Sequence, residues 1–563
     1  MVHSLGMFIR IKKSSTRKST AVQIVDGYRD PTTGKVKQRV IRHIGYAETE
    51  TDLKRLKELG EHIKAEIIEQ KQPGFFSPES MAQMALEGKK KREEKPEDYT
   101  VDDMRKLREE QRNITGIHEI YGKQFDALGF DKILANPARK AHSQKIIRDI
   151  VLARIAMPQS KRESVKSLEE HFGIRLNLDS VYNAMDFIDD GAIEKIQKRS
   201  LAMAQKLFKD KIDVLFYDVT TLYFESFTED ELKSKGFSKD NKFAEVQVML
   251  SIFVTQQGIP IGYDLFPGST YEGHTLIKSL ENLKKRFQVG NVVFVADSGM
   301  LNEENLKLLE AHGYQYIVGA RLKNMGAAIS KQILSAEGYS PLSGGDEGMR
   351  GKVFSLKNKR SLVVSRSEKR ARKNAHDRQE AIRKLKKKLQ KSTQVKSMLS
   401  NSGYKKYLDL KGESQIQVNQ SKIEEDSQWD GLHGVVTNMK TIDMAQVISH
   451  YRGLWQVEET FRVSKHDLKV RPIYHWTQDR IKAHIALCFM ALVCVRHLEY
   501  RINLTAEKMS PERIRKALLS VGVTTVRHME DKRLFAIPFN ASDDAKKIYK
   551  TFGLNLSQTP YLI

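Results

Sequence analysis

The run Val292-Val293-Phe294-Val295-Ala296 carries no polar side chain on either face, and Asp297 follows it at once. A strand with no wet face belongs in the middle of a sheet covered on both sides. A second apolar run, Val214-Leu215-Phe216-Tyr217, ends the same way at Asp218. Around these two runs the pattern is strand, hairpin, helix, strand, helix, strand. Val246–Thr255 and Ile259–Phe266 flank the turn Gln256-Gln257-Gly258 as a hairpin. Thr275–Phe287 and Glu303–His312 read as helices, and Tyr316–Gly319 as a last short strand. A hairpin followed by strand–helix units predicts an α/β fold: a mixed sheet with helices packed on it. An acid directly after a buried strand lies at the sheet's edge, where active sites of such folds gather. The ordinary alternative is a turn-forming aspartate.

The remaining chain has other rhythms. Residues 7–46 alternate as short strands, with Thr20–Arg29 and Lys35–Ile44 flanking a turn at 30–34, and 1–50 form a small antiparallel β region. Residues 51–210 read as mostly helical, with linker-like composition at Gln72–Gly74 and Lys89–Asp98. Within them Ser164–Phe172 stops at Gly173, and Asp179 or Ser180 caps Val181–Ile188. That pair suits a DNA-reading helix-turn-helix or a plain bundle, and the helical region 51–210, with help from the small sheet, is expected to bind DNA. The sheet domain occupies 211–322. The alternation lapses over 323–432, an insertion, and Gly434–Thr437 resumes the sheet in a further segment, 433–500. Residues 501–563 are a mixed C-terminal region.

Charge narrows the function. Lysine and arginine number 95 against 71 acids, a formal excess of +24. Such an excess calls for a polyanionic partner, nucleic acid before an anionic membrane surface. Arg366–Lys391 alone holds 12 basic and 3 acidic residues, either a solvated helical face or a nucleic-acid contact. No charge-free apolar stretch exceeds Ile485–Val495, too short to span a bilayer. Cys488 and Cys494 share one apolar segment. They make neither a disulfide framework nor a zinc site, so a reducing cytoplasm is expected.

A third acid stands out. After Thr441, which caps a long helix with Asp443 in its first turn, the positions 447, 451, 454, 458, 461 and 465 follow the helical period. Glu458 therefore falls on the stripe expected to be buried, on one face with Tyr451 and Lys465. A buried carboxylate needs a cation. A metal and a salt bridge to Arg462 are the two readings. Two strand-end aspartates and a helical glutamate can converge on two divalent metals for phosphoryl transfer, and hard oxygen ligands suit magnesium or manganese.

At these residues the chain resembles the DDE transposases of bacterial insertion sequences, in the superfamily marked by Y-x-x-R-x-x-x-E-x-x-x-x-x-x-K. Tyr451, Glu458 and Lys465 match, whereas Leu454 stands at the arginine position. Arg452 and Arg462 are the neighbours able to replace it. Phe216–Thr221 and Val295–Met300 look like the family's two aspartate motifs. The resemblance implies an RNase H-like core interrupted by a β-rich insertion, with Asp218, Asp297 and Glu458 as catalytic metal ligands. It implies Tyr451, Arg452, Arg462 and Lys465 as DNA contacts, and two Mg2+ ions with Mn2+ as a substitute. It also implies binding of terminal inverted repeats by a homodimer, cleavage of the ends and joining to target DNA. The place of action would be the nucleoid of a bacterial or archaeal cell, with no membrane partner. A nuclease that does not join strands and an inert DNA-binding derivative are the alternatives.

Overall fold

The computed structural model describes residues 4–13, 19–30, 35–71, 104–136, 138–209, 212–224, 228–236, 245–270, 272–286, 292–300, 302–343, 348–391, 407–411, 415–505 and 507–563. The turn residues 31–34 and both linker stretches lie outside these. Strands β1 (Ser4–Lys13), β2 (Thr20–Arg29) and β3 (Val36–Ala47) form an antiparallel sheet in that order. Helix α1 (Glu50–Lys71) packs across it. Val22, Ile24 and Val25 of β2 are fully buried.

Strand β4 (Leu107–Ile114) falls within the stretch expected to be helical. It pairs with a strand more than 400 residues later in the chain, a partnership no local pattern announces. Helices α2 (Ala141–Ala156), α3 (Lys161–Phe172), α4 (Leu178–Asp186) and α5 (Asp190–Phe208) follow. Helix α3 ends as the sequence predicts, on Gly173 in the left-handed region at φ 69°. Its N-cap is Ser160, and that of α4 is Asn177, whose side chain accepts from the Asp179 amide. Asp179 and Ser180 thus lie inside the first turn rather than capping it.

The large sheet begins with β5 (Val214–Tyr223), β6 (Gln247–Thr255) and β7 (Pro260–Pro267). After α6 (Glu272–Arg286) come β8 (Val293–Ala296), α7 (Glu303–Ala311) and β9 (Gln315–Ala320). In space these strands run β9-β8-β5-β6-β7, with β5, β8 and β9 parallel and β6 antiparallel to both its neighbours. That order and those directions are the RNase H-like arrangement.

Among the described residues beyond Lys323, several strands extend this sheet. After α8 (Ala327–Leu334), strands β10 (Ser340–Pro341), β11 (Arg350–Ser355) and β12 (Ser361–Arg366) extend it. The basic helix α9 (Glu368–Lys391), the hairpin β13 (Leu408–Lys411) with β14 (Gln415–Val418), and α10 (Gln420–Ser427) lead to β15 (Leu432–Thr437). Strand β15 sits between β9 and β12, antiparallel to both, and completes a nine-stranded sheet. The chain then forms α11 (Met444–Arg452), α12 (Trp455–Arg462), α13 (Gln478–Thr505) and α14 (Pro511–Leu519). Strands β16 (Gly522–His528) and β17 (Leu534–Pro538), helix α15 (Asp543–Thr551) and strand β18 (Tyr561–Leu562) close it. Their sheet, β18-β17-β16-β4, joins the C-terminal region to the start of the helical one.

Helix α13 is the hub, packing on α2, α4, α5 and β7. Among the described residues Gln478–Leu504 is the one helix long and apolar enough to cross a membrane, and 94 % of its most apolar window is buried in the protein. A charge-free reading stops at Val495 because Arg496 follows. That arginine is itself buried, bonded to the Gly258 carbonyl, Gln456 and Glu499. Helix α13 and its neighbours place residues 117–196 and one face of the large sheet in a single apolar core.

A polar cluster lies inside that core. Arg154 and Lys161, each 4 % exposed, stand beside His484. Lys161 Nζ is 3.3 Å from His484 Nδ1, and His484 Nε2 is 3.1 Å from the Val470 carbonyl. Nε2 must donate to that carbonyl, so Nδ1 accepts from the lysine. Burial, and then Arg154, pull the Lys161 pKa down to about 7. The unfolded chain holds that proton up to a pH of about 10. Between pH 7 and 10 the unfolded state therefore binds more protons, and the contribution to stability rises with pH. Lys161→Met is expected to raise the thermal midpoint relative to wild type below pH 7. The gain should shrink towards pH 10, as a thermal series across that range would show; a pH-independent difference would refute it.

Candidate active site

Strand parity sets the position of the two aspartates. Phe216 of β5 pairs with Val295 of the parallel neighbour β8, and Asp218 and Asp297 each lie two residues further on; Asp297 directly follows β8 as expected, whereas Asp218 lies inside β5 rather than at its end, because β5 stays paired with β6 as far as Tyr223. They therefore lie at one level and on one side of the sheet, about one strand spacing of 4.8 Å apart. Val214, Phe216, Val293 and Val295 share that side with Val447, Leu454, Val457 and Phe461 of the covering helices. Leu215, Tyr217, Phe294 and Ala296 face the opposite core, with Leu276, Leu280, Leu306 and Leu309. Asp218 is half-buried, and its Oδ1 accepts from the Val219 amide at 2.8 Å. Asp297 is exposed and accepts from the Gly299 amide, which tightens the turn after β8.

The glutamate comes from the helices above that same side. Helix α11 crosses β8, β9, β12 and β11, and α12 packs on β5 and β6. The expected single helix is broken at Gly453-Leu454, and its N-cap is Asp443 rather than Thr441. Glycine is required at the break, since a Cβ on Gly453 would stand 2.5 Å from the Phe216 ring. Leu454 and Phe461 keep the buried places that the helical period gives them. Val457 and Thr460 fill the buried stripe, Trp455 is 55 % exposed, and Glu458 is exposed rather than buried. Arg462 does not pair with Glu458: it makes a two-pronged bond to Glu459 at 2.7 and 2.8 Å and reaches Asp467 at 3.3 Å. Lys465 lies beyond α12 in a π-helical turn, its ammonium 5.9 Å from the Phe461 ring.

Tyr451 ties the acids together. Its hydroxyl rests over Gly319 of β9, where a Cβ would collide with it, beside the Ser298 amide that follows Asp297. Burial, then the charge of Asp297, and also that of Glu458, push its pKa up to about 12, with Arg370 opposing. One phenol thus lies within electrostatic reach of both carboxylates. Its ring tilts against His433 of β15 at 4.9 Å. Burial, then Arg370 and Arg452, hold His433 down to about 4, so the imidazole is neutral. Arg452 Nη2 lies 3.2 Å from Met349 Sδ.

Arg370 and His433 are the site-flanking residues that the sequence did not single out. Arg370 is one of twelve basic residues in its run, and only the docking of α9 distinguishes it. Leu454, at the arginine position of the superfamily signature, is 7 % exposed in the apolar core, so no cation enters the site from there.

Among the described residues, no three His, Cys, Asp or Glu side chains group closely enough as they stand to hold a metal ion. The donor set nonetheless fits one. Asp218, Asp297 and Glu458 are hard oxygen donors, two of them in register on neighbouring strands. Such donors suit a hard divalent cation.

The chain matches two family models: the transposase DDE domain over residues 209–494, about half of the chain, and the IS1634 family transposase N-terminal domain over residues 9–73. No curated protein matches it. Among solved structures it is similar to the piggyBac transposase synaptic complex with hairpin DNA, at 9 % identity and a TM-score of 0.35 over 66 % of this chain and 68 % of that one. The Mos1 transposase paired-end complex with left transposon end shows 18 % identity and a TM-score of 0.14. That likeness covers 28 % of this chain and 53 % of the Mos1 chain, about half its length. At such scores the fold rests on the strand order above and not on these likenesses.

Proposed function

The chain belongs to the DDE transposase family, whose domain spans residues 209–494, and from that premise we propose that it binds the terminal inverted repeats of its own element, cuts them and joins them to target DNA. The observation that carries this reading is the register of Asp218 with Asp297 on the sheet face overlaid by the Glu458 helix. These three carboxylates hold the divalent cations, magnesium or manganese, two per site. When bound, such cations neutralise charge on the phosphate and lower the pKa of an attacking water. The protein's part is placement. The middle of β5 and the turn after β8 fix the two aspartates, and α12 brings the glutamate to the same side of the sheet. Water attacks the phosphorus and gives up a proton as the strand's 3′ oxygen leaves as a hydroxyl; that hydroxyl then loses its proton and attacks a target phosphodiester, displacing the target strand's own 3′ oxygen, which takes up a proton and leaves as a hydroxyl. Tyr451, held protonated by burial beside Asp297 and Glu458, donates a hydrogen bond to a phosphate oxygen. The basic balance of the chain supplies the long-range attraction to DNA, with a homodimer holding paired ends at the nucleoid.

The test uses the full chain, Mg2+, and a duplex carrying the repeats that flank its gene. The expected products are a 3′ hydroxyl at the repeat boundary and joined molecules with a target plasmid. Cleavage without joining would make the protein a nuclease. Binding without cleavage would make it an inert derivative.

A further inference from the structure

Helix α9 runs out from the large sheet as a basic rod, yet its first turns are fastened to the catalytic face. Arg378 forks onto Asp430 with two bonds of 2.6 Å, and Asn374 Oδ1 accepts from the Gly431 amide at 3.2 Å. Gly431 has φ 79°, and a Cβ there would press on Ala371 and the Ser367 carbonyl. Glycine alone lets the turn before β15 lie this close to α9. Two residues after that turn, His433 of β15 meets the Tyr451 ring. The docked first turn carries Arg370 to this point, where it and Arg452 both act on His433, while Arg370 also acts on Tyr451. Among the described residues Arg370 has no ion-pair partner, and its side chain is exposed. Arg462, by contrast, is held by Glu459 and Asp467. Two like charges thus act on one neutral imidazole, and an anion bound beside Arg370 would be attracted by both.

We infer that Arg370 and Arg452 form a phosphate-binding site at the border of the acid cluster, which takes a DNA phosphodiester adjoining the one that is cut. Arginine suits this task because its planar fork bonds two phosphate oxygens at once. The segment between β9 and β15 would thereby contribute a ligand-binding side chain to the site, in addition to widening the sheet.

The inference rests on the proposed DNA-cutting role, and its test separates the two. Duplexes bearing the flanking terminal repeat are made with one neutral methylphosphonate at each phosphate around the boundary in turn. Binding is measured in Ca2+ and cleavage in Mg2+, for wild type, Arg370→Ala, Arg370→Lys, and Lys546→Ala of the distant α15 as control. Wild type and Lys546→Ala should lose about tenfold in affinity at one or two neighbouring positions. Arg370→Ala should bind every duplex about tenfold more weakly and be indifferent to those positions. Its salt dependence of log Kd should flatten by about one. Arg370→Lys should recover the affinity only in part, because a point charge replaces the fork. If Arg370→Ala keeps the wild-type pattern of methylphosphonate sensitivity, the site does not exist. If wild type binds with the expected pattern but never cleaves, the phosphate site stands and the enzymatic reading falls.

Discussion

Glu458→Gln is expected to abolish magnesium-dependent cleavage while the protein folds and binds terminal repeats as before. Glu458 is exposed, so its replacement by an isosteric amide opens no cavity and breaks no buried bond. The change removes one negative charge from the three carboxylates proposed to hold the metals. Losing a charged ligand weakens metal binding and withdraws stabilisation of the transition state, which is worth several kcal/mol. A fall in cleavage rate on the order of a thousandfold follows, since each 1.4 kcal/mol is about tenfold. Its neighbour provides the contrast. Glu459 is half-buried and bonded to Arg462 by both carboxylate oxygens, and Arg462 holds its carboxyl below the usual range. Glu459→Gln should therefore cost about 1 kcal/mol of stability and lower the thermal midpoint, with cleavage by the folded protein preserved. Paired cleavage and melting curves decide between them. Lost cleavage in Glu459→Gln alone would overturn the assignment of the triad.

The second large effect is structural. Arg154→Ala is expected to destabilise the protein by about 3 kcal/mol, or roughly 2–3 °C in the thermal midpoint of a chain this long. Its guanidinium is buried and donates to three carbonyls: Leu468 at 2.9 Å, Lys469 at 3.1 Å and Gln159 at 3.0 Å. Truncation leaves those acceptors without their donor inside the core, which costs more than an exposed bond returns. The carbonyls of 468 and 469 belong to the segment following the Glu458 helix and its π-helical turn, so this arginine also fastens that helix's exit to α2. Arg154→Lys, with a point charge in place of the fork, should fall between. An unchanged midpoint in Arg154→Ala would show that water replaces the side chain without cost.

Local chemistry determined a good part of this protein from sequence. The apolar runs before Asp218 and Asp297 dictate buried central strands, because side chains that cannot face water on either side must be covered on both. The hairpin at 256–258 and the helices between strands then leave few ways to order the sheet, and the observed order is one of them. Asp297 follows from the same logic, directly after the run that ends with β8, whereas β5 runs on past Asp218 to Tyr223, because its partner β6 continues to pair with it there.

What only the tertiary structure decided depends on contacts between distant residues. The helical period carried across 447–465 put Glu458 in the core, but the buried face of the helix is Leu454, Val457 and Phe461, and Glu458 at its edge is exposed. Arg462 stands four residues from Glu458 and also three from Glu459, and packing gave it to Glu459. Strand β4 finds its partner at the far end of the chain. Arg370 is one cation among twelve in its run until the turn at Gly431 brings its helix onto the catalytic face. Periodicity and composition act within a few residues of themselves, whereas the choice of ion-pair partner, strand neighbour and site-facing cation is made by surfaces hundreds of residues apart meeting in one core.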